Sequence, residues 1–442
     1  MDEGISHPLT VARTALGLDR VQFANRIRGA AKRRGLHSGV DKQRVRKWEV
    51  DGVTPDNVSQ SYIGEVLGVP AEDVDPAMWP DWLPAADGGV IPLGPASTVP
   101  ALREAMTTTM NRSRRSFMSA IAGTSLITLA GAWASADTQA HAVEQARAGK
   151  SVDEEVVSFL EETSERLTTM ATEHRQHVAP LLDAHLTAVA NLIAEGRCTR
   201  PVEVRLLALA ANLSQTVAWH RFDLGLHIEA SKYWVAGLHC AHQGGDRDMA
   251  AALLSDLAYQ ASWQDNPRTA SGILERALSR TRHPAARSLL QLRLARALAA
   301  QGERKGTFRA LAAAEHLLDA ACGEPVPAWC AWFSEADLAV DSGQCLRDLG
   351  DTRRAHELIS EGRSLLPPSR DKTRGIFLLY QAQNYLDVGE PDQAAAAGLE
   401  SLLLAQRIGA PRCVQLVREL IPRFEDYRET QGVPELLDRV TA

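Results

Sequence analysis

The chain lacks recognisable machinery for catalysis. It has no Gly-x-Ser-x-Gly elbow, no Walker phosphate loop, no His-Glu-x-x-His pair and no paired carboxylates that stand apart from helix-surface charge. Enzymatic activity is therefore not expected, and neither is a cofactor. Its six cysteines (Cys198, Cys240, Cys322, Cys330, Cys345 and Cys413) include no Cys-x-x-Cys pair, which suits a reducing compartment. The nearest approach to a metal cluster is His239, Cys240 and His242. These fall on adjacent turns of a predicted helix rather than at ligand spacing, so packing is their expected role and no metal site is predicted. The opening, MDEGISHPLT, is not a secretory signal, and a cytoplasmic location is the expectation. Lys and Arg are absent from residues 48–87, and residues 152–428 show no convincing strand alternation.

What is present points first to residues 40–56, VDKQRVRKWEVDGVTPD. Asp41 suits an N-cap, and Lys42 to Glu49 contains no helix breaker. At about 100° per residue, Val45 and Trp48 share one side and can bury. Lys42, Gln43, Arg46 and Lys47 then point the other way, with Arg44 on the flank. Arg and Lys can donate to guanine and Gln can pair with adenine, so this short helix suits a major groove. A solvated charged face is the plainer alternative. The charge distribution separates the two. Residues 13–47 carry eleven basic side chains against two acidic ones, whereas residues 48–87 carry nine acids, all within a chain of net charge −7. A local basic face can supply the phosphate attraction of DNA binding without a basic protein.

Residues 8–74 resemble the Xre/Cro-type helix-turn-helix domain. The resemblance rests on LTVARTALGL (9–18), Val21 to Ile27 with small Ala24, the 40–49 helix ending in Trp-Glu, the Gly52–Asp56 turn and YIGEVLGV (62–69). It implies binding to double-stranded DNA through Lys42, Gln43, Arg44, Arg46 and Lys47. One departure is the stretch GAAKRRGLHSG (29–39), which replaces the usual short turn. It is expected to lengthen the second helix and to add a basic loop of phosphate contacts from Lys32, Arg33 and Arg34.

At 442 residues with 45% hydrophobic content, the chain should hold more than one domain and has ample core material. Residues 1–84 form the first expected domain, with Trp79 and Trp82 packed as a lid. Residues 83–105 are rich in Pro, Gly and Ala, and 85–150 read as a linker. Within it, SRRSFMS (113–119) is similar to a twin-arginine export motif, and an uncharged run from Ser116 to Ala136 follows. Three readings stand: a one-span anchor, export from an internal start at Met106 or Met110, or a small-residue helix buried between domains. Ser, Thr, Gly and Ala dominate the run, so the buried helix is favoured and membrane association is not expected.

Residues 151–430 read as helix after helix, followed by a tail at 431–442. Turn residues Gly225, Asn266, Gly302, Gly350 and Gly389 stand 41, 36, 48 and 39 apart, near the 34-residue tetratricopeptide period with insertions. Ala230, Ala270, Ala355 and Ala394 are expected where paired helices cross, while Phe308 makes the third repeat the weakest match. The chain thus resembles actinobacterial regulators that join an Xre-type domain to a tetratricopeptide array. The resemblance implies an all-α fold, a small helix-turn-helix domain joined by a linker to a tetratricopeptide-like α-solenoid. It also implies a transcription regulator. Homodimerisation and a peptide or small-molecule effector are expected with it. Candidate groove residues are Asn212, Gln215 and Trp219, then Tyr259 and Trp263, then Tyr380 and Asn384, all at helical spacing. Packing between repeats is the alternative role for each of them. For the whole chain, the alternative function is an interaction scaffold, with or without a membrane anchor through residues 116–136, whose first domain binds protein rather than DNA.

Overall fold

The computed structural model describes residues 7–67, 69, 71, 74–83, 90–94, 96–110, 123–135, 152–168, 175–196, 198–321, 323 and 325–441. Among them every regular element is helical. The twin-arginine-like residues 113–119 lie outside the described residues. Packing divides the chain into two compact units. One comprises Met1–Glu165, Leu182–Ala218 and His227–Leu257; the other comprises Arg166–Leu181, Trp219–Leu226 and Ala258–Ala442.

The first unit begins with four short helices: α1 (Pro8–Ala15), α2 (Arg20–Arg33), α3 (Lys42–Val50) and α4 (Asn57–Leu67). Asp19 and Gln22 form a capping box at the start of α2, and Asp41 caps α3 by accepting from the Arg44 N–H. Both caps satisfy N–H groups that the first helical turn leaves without partners. Leu9, Phe23, Ile27, Val45, Trp48 and Ile63 are almost wholly buried and form the core, against which Trp79 and Trp82 pack. The Trp82 indole also donates to Gln60 Oε1 at 2.8 Å.

The carboxylate of Glu49 ties these helices together. It accepts from Arg13 Nε at 2.6 Å and Arg20 Nε at 2.5 Å, and its side chain has no exposure. Arg13 also donates to the Leu18 carbonyl, so the buried guanidinium spends its donors on the turn between α1 and α2.

The described part of the expected linker includes packed helices. Helices α5 (Thr98–Met110) and α6 (Gly123–Ser135) fall within it, and α5 packs on α10 (His227–Gly244). Leu102, Leu129, Ala130 and Trp133 are buried. At Gly94 a Cβ would sit 2.4 Å from the Ala15 carbonyl oxygen, so only glycine permits this approach to the end of α1. Pro and Gly content signalled flexibility here, but Gly94 serves close packing instead. No helix among the described residues is long and apolar enough to cross a membrane. The first unit also holds residues from α7 (Glu154–Thr168), α8 (Arg175–Glu195), α9 (Arg200–Asp223) and α11 (Arg247–Trp263).

The second unit continues with α12 (Pro267–Arg280), α13 (Pro284–Ala300), α14 (Arg304–Ala320), α15 (Glu335–Asp348) and α16 (Thr352–Leu365). It ends with α17 (Asp371–Asp387), α18 (Pro391–Ile408), α19 (Pro411–Leu420) and α20 (Val433–Thr441). Helices α13 and α14, α15 and α16, and α17 and α18 pack as hairpins, while α13, α15, α17 and α19 pack on one another in succession. That register is a tetratricopeptide-like stack. Its turns repeat one hydrogen-bond pattern. After Gly302 and Gly350, both at positive φ, the next N–H reaches back five residues, as Glu303 to Leu298 O and Asp351 to Leu346 O. At the turn read as Asn266, the positive φ belongs to Asp265, and Asn266 instead caps α12.

Ala230, Ala270, Ala355 and Ala394 are all fully buried. In the third repeat Phe308 is half-buried beneath Arg304, and Ala310 takes the buried position. The tail expected at 431–442 is corrected. Residues 433–441 form α20, whose Val433 and Leu436 are buried against the last core, so its apolar positions make it a capping helix.

Two substitutions test these contacts by urea unfolding. Glu49→Ala strands two guanidinium groups, one of them buried, and should cost the small domain about 3–5 kcal/mol. In Gly362→Ala the new Cβ would lie 2.6 Å from the Ala336 carbonyl oxygen, forcing α15 and α16 apart. That change should cost roughly 1–3 kcal/mol. Unchanged unfolding midpoints would contradict both assignments.

Candidate functional site

Helix α3 carries the first cluster. Val45 and Trp48 face the core, and Lys42, Gln43, Arg44, Arg46 and Lys47 are exposed. Arg46 is also paired with Asp51 at 3.1 Å, a contact at the exit of the helix. The outward set therefore lies on a helix whose other side is held by the core and by Glu49. Such a surface can donate to base edges and phosphates and can also pair with adenine through Gln43.

The inserted basic stretch lengthens α2 as expected, but its arginines are placed differently from the expected loop. Its first five residues extend α2 to Arg33, and residues 34–41 connect to α3. Lys32 is exposed. Arg33 and Arg34 both reach Glu65 of α4, at 2.7 and 2.8 Å, and Arg34 also lies 5.5 Å from the Tyr62 ring centre. Those two arginines brace the connection against α4, which corrects the picture of a free basic loop. No sequence spacing signalled Glu65 as their partner.

The groove residues divide. In the first unit, Asn212 is exposed and bonds within its own helix to the Ala208 carbonyl. Gln215 is half-buried and donates to Asp256 Oδ2 at 2.7 Å. In the second unit Asn384 is fully buried, donates to the Thr352 carbonyl and pairs with His356. It lines no groove, because its amide is spent joining α17 to the start of α16.

Trp219, Tyr259 and Trp263 do converge, and Phe222, which the sequence reading missed, completes their cluster. Trp219 and Phe222 meet at 5.6 Å edge to face, Trp219 and Tyr259 lie 5.7 Å apart, and Tyr259 stacks on Trp263 at 6.1 Å. Phe222 continues the spacing of Gln215 and Trp219 around the helix, so that periodicity could have included it. Arg412 of α19 had no such signal. Its guanidinium lies 4.9 Å from the Phe222 ring centre, 5.0 Å from Trp263 and 5.9 Å from Tyr259. Lys372 and Arg412 both approach Asp223.

Two further arginines border the cluster. Arg293 lies 5.1 Å from the centre of the Tyr259 ring, and Arg296 lies 5.8 Å from that of Tyr380. Arg296 also pairs with Asp348 at 3.1 Å and approaches Asp341 at 4.0 Å. Burial pushes the Tyr380 phenol above its usual range. Burial likewise raises the Asp341 carboxyl to about 6, against the pull of Arg296. The fold thus favours protonated Asp341 over the unfolded chain's carboxyl near 3.8. Its stabilising contribution is complete below 3.8 and is lost as pH rises through about 6. Asp341→Asn should flatten the stability profile between those values. An identical slope in parent and variant, by thermal unfolding across that range, would exclude Asp341 as its source.

Among the described residues no group of His, Cys, Asp and Glu is arranged to hold a metal ion. No protein-family model matches the chain, and no curated protein matches it. One similar solved structure is described as the crystal structure of Rap protein complexed with competence and sporulation factor. The similarity has a TM-score of 0.41 at 13% identity, covering 65% of this chain and 97% of that one.

Proposed function

We propose that this protein is a DNA-binding transcription regulator in which the helical repeats receive an effector or a protein partner. The observation that carries the reading is α3 itself: five exposed polar side chains on a helix whose opposite side is buried. Lys42, Arg44, Arg46 and Lys47 supply donors for guanine edges and phosphates, and Gln43 supplies a donor–acceptor pair for adenine. Lys32, at the end of the lengthened α2, adds a phosphate contact, while Arg33 and Arg34 contribute to the positive field from their positions beside Glu65. The protein acts as a homodimer on two half-sites, since one such helix reads few base pairs. Its effector is a peptide or small molecule, and no catalytic step is part of the proposal.

Selection of bound fragments from genomic DNA, followed by mobility shifts at graded salt, tests the reading. Binding should weaken steeply with salt, the logarithmic slope falling by about 0.9 for each phosphate contact removed. Alanine at Lys42, Arg46 and Lys47 should weaken binding across sequences. Gln43→Ala should relax preference at one base position by about 1–3 kcal/mol. No binding at low salt, or binding untouched by alanine at these four positions, would leave the small domain as a protein-docking module instead.

A further inference from the structure

The stretch between α2 and α3 braces Arg33 and Arg34 against α4 and leaves an apolar side chain in solvent. Leu36 is 56% exposed, and His37 beside it is exposed as well. The loop that carries them is held at both ends. Gly35 takes a positive φ, its N–H reaches the Lys32 carbonyl, and the Leu36 N–H reaches the Ala31 carbonyl. This is a Schellman ending, in which the residue after the glycine commonly packs its side chain back on the helix. Leu36 stays more than half in solvent instead. On the other side, buried Val40 accepts through its carbonyl from Arg28 at 3.4 Å and donates its N–H to Ser38 Oγ. Asp41 then caps α3. Holding a loop costs conformational entropy, and these bonds present its tip in one place.

An isolated exposed leucine is ordinary. Its position in the chain makes this one informative. On DNA, the first turn of a recognition helix meets base edges, so residues just before its N-cap stand at the mouth of the major groove. A connection longer than the usual short turn carries its tip further toward that groove. Residues 20–40 include Arg20, Arg26, Arg28, Lys32, Arg33 and Arg34 and no Asp or Glu. Nothing on α2 or the loop therefore repels phosphate. Among the four bases only thymine presents a methyl group in the major groove, and an apolar side chain is what reads it.

We propose that Leu36 reads DNA sequence directly, packing against the C5-methyl group of a thymine beside the bases met by α3. The contact rests on the reading of α3 as a major-groove helix, and it names a specificity residue outside that helix. It widens the stretch of sequence that each small domain reads.

Uracil in place of thymine removes one methyl group and leaves base pairing intact, which makes it the probe. In a duplex selected from genomic DNA, each thymine is replaced singly and binding of the full chain is followed by mobility shift. One replacement should weaken binding about fourfold, the worth of one buried methyl group. Leu36→Ala should bind the thymine and uracil duplexes equally at that position, while Leu36→Met should keep most of the preference. Because the side chain is exposed, both variants should unfold at the parent's temperature. A parent protein indifferent to every replacement overturns the proposal. So does a Leu36→Ala chain that retains the parent's preference. If alanine at Lys42, Arg46 and Lys47 still weakens DNA binding, either failure leaves the regulator reading in place. A chain that binds no duplex at low salt removes both.

Discussion

The small domain depends on one buried carboxylate. Glu49 sits at the end of α3, with no side-chain exposure, and accepts from arginines on α1 and α2. A charge in that position is tolerable only when its oxygens are well bonded, and that requirement gives the three helices little freedom to rearrange. An apolar contact would allow α3 to roll. The ion pairs do not, because each N–H···O bond is directional. The exposed side of α3 is therefore presented in one orientation, the prerequisite for reading a groove rather than merely attracting phosphate.

In the repeat region the corresponding constraint is close approach. Gly343 and Gly362 let α15 and α16 touch through backbone, and Gly398 takes up a tight place on α18 beside Leu436. Small residues and left-handed turns are local requirements, so they leave marks in the amino-acid string. That is why the turns at Gly225, Gly302, Gly350 and Gly389 and the buried alanines were legible in advance. Val45, Trp48 and the Asp41 cap were legible for the same reason, since helical period and capping act within a few residues.

What stayed hidden depends on partners far apart in the chain. Arg412 lies 149 positions beyond Trp263, the nearest in sequence of the rings it covers, and helix periodicity cannot connect them. Arg33 and Arg34 read as free phosphate contacts because Glu65 lies on another helix. Asn384 had the spacing of a groove residue, but its amide is satisfied by Thr352 and His356. Gly94 misled for a different reason. Composition reports conformational preference, whereas the approach of Gly94 to Ala15 is a matter of space.

That last contact also joins the small domain to a repeat helix within the first unit. Ser97 Oγ donates to the Gly94 carbonyl and pairs with His239 Nδ1 of α10 at 2.7 Å, while Thr98 donates to the His239 carbonyl. The Ala96 N–H donates to Ala15 of α1, the helix whose Arg13 holds Glu49. Contacts thus run without interruption from α10 to α3, through groups that are nearly all buried. Burial and the nearby His242 lower the His239 pKa to about 3, so the imidazole stays neutral across physiological pH. Proton uptake there cannot loosen the connection under those conditions. A change in the packing of α10 is the kind of event that would reach α3, and it would do so mechanically rather than by charge.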